Sequence, residues 1–308
     1  MAPTVSAPSG VITRFAPSPT GFLHLGHAYA ALKAWDEAGP TGFVLRIEDL
    51  DRARCRPEYA QAILEDLSWL GLRWREPVLH QSSRSLAYGE ALTVLARRSL
   101  TYPCFCTRTA IASIARARND TAADVSAEIE AAAQAPHPSA HPTALYPGTC
   151  RHLPDGERQQ RLARGEPHAL RLDVQRASCL PEARNLCFVE EGECVAGRAT
   201  RIEVQPQLHG DIVLARKDLP AAYHLAVVVD DAYQGITRVT RGQDLQSATH
   251  VQRLLQALLG LPAPRYAHHR LILDSQGRKF SKRDGSMTLR ALRAAGATPA
   301  TMRAQLGL

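Results

Sequence analysis

The 308-residue chain has no apolar run approaching the roughly 20 residues that a membrane-spanning helix requires. Its best stretch, Leu225 to Val229, is stopped at once by Asp230 and Asp231, which excludes a membrane-embedded protein. The N-terminal segment, Met1 to Gly10, lacks both a basic start and an apolar block, so it does not read as an export signal, and the cytoplasm is the expected compartment. Cysteine is sparse: seven residues, an odd number, are scattered over a chain too long to need disulfide staples. Reduced thiols follow, some of them available to a metal. No internal repeat is visible, and the single low-complexity stretch is an Ala-rich segment between Ala110 and Ala135.

What is present is a folding chain of one or two domains, 45% hydrophobic, with a formal charge of +7. That charge is concentrated. Between Arg265 and Leu308 there are nine Lys or Arg against two Asp, which leaves the rest of the chain formally neutral. A basic segment on a neutral body suits a polyanion such as a nucleotide or an RNA backbone, although a solvated basic helix has the same signature.

The order of elements suggests an α/β fold. A strand over Val11 to Phe15, a helix over Leu25 to Ala38 closed by Gly39-Pro40, a strand over Phe43 to Ile47 and a helix over about Pro57 to Leu70 form a parallel unit. Ser82 to Arg98 adds a helix. Thr101 to Cys150 reads as an insertion with a helical arm. The pattern then resumes with strand-like runs over Ile212 to Ala215, Leu225 to Val229 and Ile236 to Thr240, a helix over Ser247 to Leu259, and a strand over Arg270 to Leu273. A parallel sheet, interrupted and later completed, accounts for this order. The expected division is residues 11–100 for the first half of the sheet, 101–215 for the insertion and 216–308 for the second half.

Two segments carry chemistry. His24-Leu25-Gly26-His27 follows the first strand and opens the first helix, so both imidazoles lie on one side of the first turn beside unpaired backbone N–H groups. That is the outline of a phosphate site, in which Gly26 admits close approach; two capping or surface histidines are the alternative. Lys279-Phe280-Ser281-Lys282-Arg283, bracketed by Gly277 and Gly285, sets three cations where charge could build on a departing pyrophosphate. By itself it reads as a solvated basic turn.

Taken together, these segments resemble the two nucleotide signatures of class I aminoacyl-tRNA synthetases. The resemblance narrows with Arg14-Phe15-Ala16-Pro17-Ser18-Pro19-Thr20-Gly21, Leu45 to Asp51, Ala226 to Asp231 and Thr240-Arg241-Gly242-Gln243-Asp244, which in this order are similar to the catalytic half of glutamyl-tRNA synthetases. It implies a Rossmann-type parallel-sheet catalytic domain. It also implies a glutamate pocket lined by Arg14, Ala16, Ser18, Glu48, Tyr223 and Arg241, and an ATP site of His24, Gly26, His27, Lys279, Ser281 and Lys282, with Mg2+ accompanying the nucleotide. His24, His27 and Lys282 would be catalytic, and no side chain would be covalently modified. Chemically the set is sensible: arginine forks fit carboxylates, Glu48 offers a partner for an ammonium, and Tyr223 adds a hydroxyl. Surface ion pairs remain the alternative for Arg14 or Glu48 taken singly. Gln243 stands where full-length relatives commonly have an acid.

Only 25 residues follow Arg283, so no helical anticodon-binding domain is expected. This is closer to the shortened paralogues, the glutamyl-queuosine tRNA(Asp) synthetases. They activate L-glutamate with ATP without tRNA and pass it to queuosine in the anticodon of tRNA(Asp). A compact synthetase charging tRNA(Glu) and a non-catalytic tRNA- or nucleotide-binding paralogue are the competing readings. The resemblance further implies one structural Zn2+ per chain on Cys104, Cys106, Tyr146 and Cys150, with His152 or His141 as rivals for the fourth place and metal-free buried thiols as the alternative. The 39 residues between Cys106 and Tyr146 exceed the paralogues' usual spacing. A monomer without membrane association is expected, and Cys55, Cys179, Cys187 and Cys194 receive no role.

Overall fold

A computed structural model of the chain describes residues 10–118, 145–273 and 287–308. Strand β1 (Thr13–Phe15) leads through a loop into helix α1 (Leu25–Gly42), and β2 (Phe43–Ile47) returns parallel to β1, with Thr13 opposite Phe43 and Phe15 opposite Leu45. Gly39 has φ 64°, a left-handed conformation that suits glycine, and together with Pro40 it breaks the helix where the sequence placed its end. Helix α2 (Pro57–Trp69) starts on a proline, and β3 (Arg75–His80) then pairs in parallel with β2 before helix α3 (Ser85–Arg97). Leu32, Phe43, Leu45, Ile63 and Leu67 are fully buried between α1, α2 and this sheet. Truncating any one of these leucines to alanine should cost about 2–5 kcal/mol.

After β4 (Thr101–Cys104) and the helix Arg108–Arg118, the chain enters β5 (Ala169–Leu172), β6 (Cys187–Glu190), β7 (Thr200–Glu203) and β8 (Val213–Ala215). Strands β4, β5 and β8 form a small antiparallel sheet. Strands β9 (Arg238–Gly242) and β10 (Arg265–His269) are parallel, and β6, from within residues 101–215, pairs in parallel on the far side of β10 with β7 antiparallel outside it. Thr237 and Arg238 donate their N–H groups to the Ile12 carbonyl at 3.0 and 3.1 Å, which lays β9 beside β1. β3-β2-β1 and β9-β10-β6-β7 are two sheets that meet edge to edge, so across them the order reads β3-β2-β1-β9-β10-β6-β7 and reverses between β1 and β9. Ligands of open parallel sheets bind in the crevice beyond the carboxyl ends of the strands at such a reversal.

Two sequence-based expectations are corrected. Leu225 to Val229 is not a strand: it lies in the helix Tyr223–Tyr233, which buries Leu225, Ala226, Val227 and Val228 together. A short helix covered on all sides shows a continuous apolar run, which periodicity cannot separate from a buried strand. The strand expected at Arg270 to Leu273 falls earlier, at Arg265–His269, where histidines face the interior instead of aliphatic residues.

The C-terminal helices, Leu289–Ala294 and Pro299–Leu306, pack back on α1. Arg303 grips Asp36 with both terminal nitrogens at 2.9 and 2.7 Å. Leu289 donates its N–H to the Leu23 carbonyl at 2.8 Å, and Thr288 bridges antiparallel to His24.

Candidate active site

Of the pocket residues expected from the sequence, Arg14 and Arg241 lie in β1 and β9, Ala16, Ser18 and Glu48 lie in the segments just after β1 and β2, and Tyr223 opens the helix Tyr223–Tyr233. Arg14 in β1 is buried and donates from Nε to Asp231 Oδ1 at 3.1 Å and from Nη1 to the Thr240 carbonyl at 3.3 Å. Ala16 and Ser18 follow in the loop to α1, and Glu48 sits just past β2, its N–H bonded to the Pro17 carbonyl at 3.0 Å. Beneath them lies a fully buried cation, Arg46, with Nη1 2.8 Å from Asp231 Oδ1 and 2.9 Å from Gln234 Oε1, and Nε 3.5 Å from Glu48 Oε1. Burial works against the Arg46 charge, but Asp231, Glu48 and Asp230 outweigh it, so the guanidinium holds its proton more firmly than usual. Asp231 is drawn below the usual carboxylate range, since Arg14 and Arg46 overcome the effect of burial. Glu48 moves the other way. Burial pushes it up to about 7, against the pull of Arg46 and Arg14 and with the repulsion of Asp231 and Asp230.

Arg241, at the end of β9, is buried and held on several sides: Nη1 reaches Gln252 Oε1 at 2.9 Å and the Tyr223 hydroxyl at 3.4 Å, and Nη2 reaches Thr249 Oγ1 at 2.8 Å. Glu48, Arg14 and Arg241 all act electrostatically on Tyr223, so the four lie close together. Between them they offer two arginine forks, a carboxyl group and a phenol, a donor-rich set for an acidic amino acid.

The two histidines meet as the spacing required. Their ring centroids are 3.8 Å apart, and Nδ1 of His27 receives the His24 N–H at 3.3 Å at the first turn of α1. Gly26 has a local use in addition to ligand approach: a Cβ there would come within 3.1 Å of the His24 ring. Lys279, Ser281 and Lys282 lie outside the described residues.

A second constellation forms between β4 and residues 146–150. The Sγ atoms of Cys104, Cys106 and Cys150 lie within 4.8 Å of one another. The Tyr146 hydroxyl is 3.3 Å from Cys104 Sγ and 3.8 Å from Cys106 Sγ, and Cys106 Sγ is 3.5 Å from Cys150 Sγ. Ligands about 2.3 Å from a tetrahedral zinc would stand about 3.8 Å apart, so three thiols and a phenol at these separations fit a single ion. His152 is exposed on the segment after Cys150, bonded by its neighbour Arg151 at 3.4 Å, and His141 lies outside the described residues.

The profile of the class I tRNA synthetase catalytic domain for glutamate and glutamine (E and Q) matches residues 10–308. The chain belongs to that family. It is 44% identical to a glutamyl-Q tRNA(Asp) synthetase of Rhodobacter capsulatus over 97% of this chain and 100% of that protein. It is 42% identical to one of Nocardia farcinica over 96% of this chain and 83% of the relative. Among solved structures, a glutamate tRNA ligase from Elizabethkingia meningosepticum, crystallised in complex with its amino acid, superposes with a TM-score of 0.64 at 29% identity, covering 90% of this chain and 53% of that one. The layered α/β core is thus the catalytic fold of class I synthetases, a family of ATP-dependent ligases. No described helix is long and apolar enough to cross a membrane.

Reading the sequence missed the ionic floor of the site. Arg46 and Asp231 fall within the motifs that carry the resemblance but receive no role from it, and Gln81, Arg84 and Tyr88, which bind Asp230 at 2.9, 3.2 and 2.7 Å, stand outside those motifs. The available signal was a charge in the middle of an apolar strand, Leu45-Arg46-Ile47, together with two acids closing an apolar run, Asp230-Asp231. Buried charges are retained when paired, so each implied the other. Of the acidic stretch after β2, Glu48 is buried against Arg46. Asp49 is spent on Ser82 N and Oγ, both at 2.8 Å, and Asp51 on Arg54 at 2.7 Å.

Proposed function

We propose that this chain condenses L-glutamate with ATP to glutamyl-adenylate and pyrophosphate without tRNA, and transfers the glutamate to queuosine in the anticodon of tRNA(Asp). The observation that supports the reading is the closeness of Arg14, Glu48, Tyr223 and Arg241 to one another, with the His24–His27 pair on the turn that follows β1. The relatives named glutamyl-Q tRNA(Asp) synthetase support the same substrate and acceptor.

Arg14 and Arg241 hold the substrate's two carboxylates, ionised Glu48 receives its ammonium, and Ala16 and Ser18 complete the wall. The α-carboxylate oxygen attacks the α-phosphorus, the bond to the bridging oxygen breaks, and pyrophosphate leaves. His24 and His27 donate to phosphate oxygens from a helix N-terminus already favourable to anions. Lys282, with Lys279 and Ser281 nearby in sequence, neutralises charge that grows on the leaving pyrophosphate; this is transition-state stabilisation by position and charge. Mg2+ bound to ATP would supply charge neutralisation at the phosphates. Structural zinc would be held by Cys104, Cys106, Tyr146 and Cys150 and would tie β4 to residues 146–150. We further propose the division of the chain at residues 100 and 215, a monomeric state and a cytoplasmic location.

Glutamate-dependent ATP–pyrophosphate exchange in the absence of tRNA is the first test, and a non-catalytic paralogue gives none. Labelled glutamate should then appear on tRNA(Asp) containing queuosine and not on the same tRNA lacking it. Label on tRNA(Glu) instead would overturn the acceptor assignment.

A further inference from the structure

Nε of Arg241 donates to Nε2 of His268 at 3.1 Å, from the position directly across the parallel pair β9–β10. His268 is fully buried, and its other ring nitrogen lies 2.5 Å from Oε2 of Glu190, which is fully buried as well. The remaining oxygen of Glu190 accepts the backbone N–H groups of Gly192 at 2.8 Å and of His268 itself at 2.9 Å. An arginine N–H can only donate, so Nε2 must present a lone pair, and the single proton of a neutral imidazole is then on Nδ1, facing the carboxylate. Desolvation lowers His268 to about 4, against the attraction of Glu190, so the ring is neutral at physiological pH. Packing leaves no slack here: a Cβ on Gly192 would lie 2.7 Å from Glu190 Oε1 and collide with the backbone of His268. Cys194 Sγ is also near, but the imidazole and carboxylate are closer together than two ligands of one zinc ion, which stand about 3 Å or more apart.

We infer that Glu190 and His268 are positioning residues of the amino-acid pocket, a buried carboxylate–imidazole pair that fixes Nε2 of His268 as an acceptor and thereby aims the guanidinium of Arg241 at a substrate carboxylate. The inference rests on the reading of Arg241 as a carboxylate-binding cation. With Nε taken by His268 and the outer nitrogens on Gln252 and Thr249, the described residues leave Arg241 one N–H on Nη2 and the long bond to Tyr223 with which to meet a ligand. A small rotation of the guanidinium would misdirect both.

Glu190→Gln in the full chain tests this. The amide keeps the shape, but if its oxygen stays on the two backbone N–H groups, its NH2 faces Nδ1 and drives the ring proton to Nε2, donor against donor at Arg241. The glutamate KM for transfer to queuosine-containing tRNA(Asp) should rise about ten-fold or more while the ATP KM stays within about two-fold. The 15N spectrum of histidine-labelled protein should show His268 exchanging its Nδ1–H form for Nε2–H. An unchanged glutamate KM in a folded variant overturns the inference. Arg241→Ala separates the two levels: if it leaves the glutamate KM unaltered, the pocket reading itself fails, whereas a rise there without one in Glu190→Gln defeats the positioning role alone. Should Glu190→Gln not fold, His268→Gln keeps an acceptor for Arg241 and His268→Leu does not. The glutamine variant should retain a glutamate KM about ten-fold closer to wild type, and equal values in the two overturn the inference.

Discussion

Glutamate binding should weaken about ten-fold when the pH falls from 8 to 6, because Glu48 titrates inside that window. Burial raises it to about 7 from its ordinary 4.5, despite Arg46 and Arg14. At pH 8 about nine-tenths of the protein has the carboxylate that an ammonium needs, and at pH 6 about one-tenth does. The ammonium and carboxylates of free glutamate do not change charge over this range, so the dependence belongs to the protein. Calorimetry without ATP isolates this step from the histidines proposed to bind the nucleotide. At pH 7, in buffers of different ionisation enthalpy, binding should release about half a proton as the incoming ammonium ionises Glu48. The linkage also has a sign in the ligand-free protein. A carboxyl whose folded pKa is raised contributes stability that is complete below about 4.5 and is lost as the pH rises through about 7. Glu48→Gln should bind glutamate more weakly and with no slope between pH 6 and 8. A flat profile in the wild type, or an unaltered slope in Glu48→Gln, would refute the reasoning.

Asp231→Asn removes the anion shared by Arg14 and Arg46 at 3.1 and 2.8 Å, and the loss of a buried partner should cost about 3–5 kcal/mol, read from the urea midpoint at constant slope. Lys282→Ala should slow adenylate formation about 100- to 1000-fold in pyrophosphate exchange; an undiminished rate removes the lysine from the mechanism. Fresh protein should contain one zinc per chain by elemental analysis, and Cys106→Ser or a strong chelator should lower both the metal content and the melting temperature. Gly192→Ala, which forces a methyl against His268 and Glu190, should cost about 1–3 kcal/mol by thermal melting and raise the glutamate KM together with that loss.

The first half of the sheet was legible because its signals are local: Gly39-Pro40 ends α1, Pro57 opens α2, and the apolar β-branched runs between them are strands. Adjacent histidines were equally plain, since a helical turn brings residues three apart onto one side. Leu225 to Val229 misled because burial on every side erases the period that distinguishes helix from strand. The floor and flank of the pocket were hidden for another reason. Arg46 meets Asp231 across 185 positions, and Glu190 meets His268 across 78, so neither partner is visible in the other's neighbourhood. Cys104, Cys106, Tyr146 and Cys150 were recognisable only through resemblance, and their closeness depends on how β4 meets residues 146–150.

The backbone bond from Leu289 to Leu23, with Thr288 bridged to His24, has a mechanical consequence. Five residues lie between Lys282 and Thr288, so a fully extended chain sets their backbones at most about 20 Å apart. Whatever path residues 283–287 take, the Lys282 backbone lies within that radius of the bridge beside His24. Arg303, clamped to Asp36, keeps that fastening from slipping. Removing residues between Lys282 and Thr288 should therefore shorten the radius stepwise, while cutting away the last helix should let the whole anchor drift.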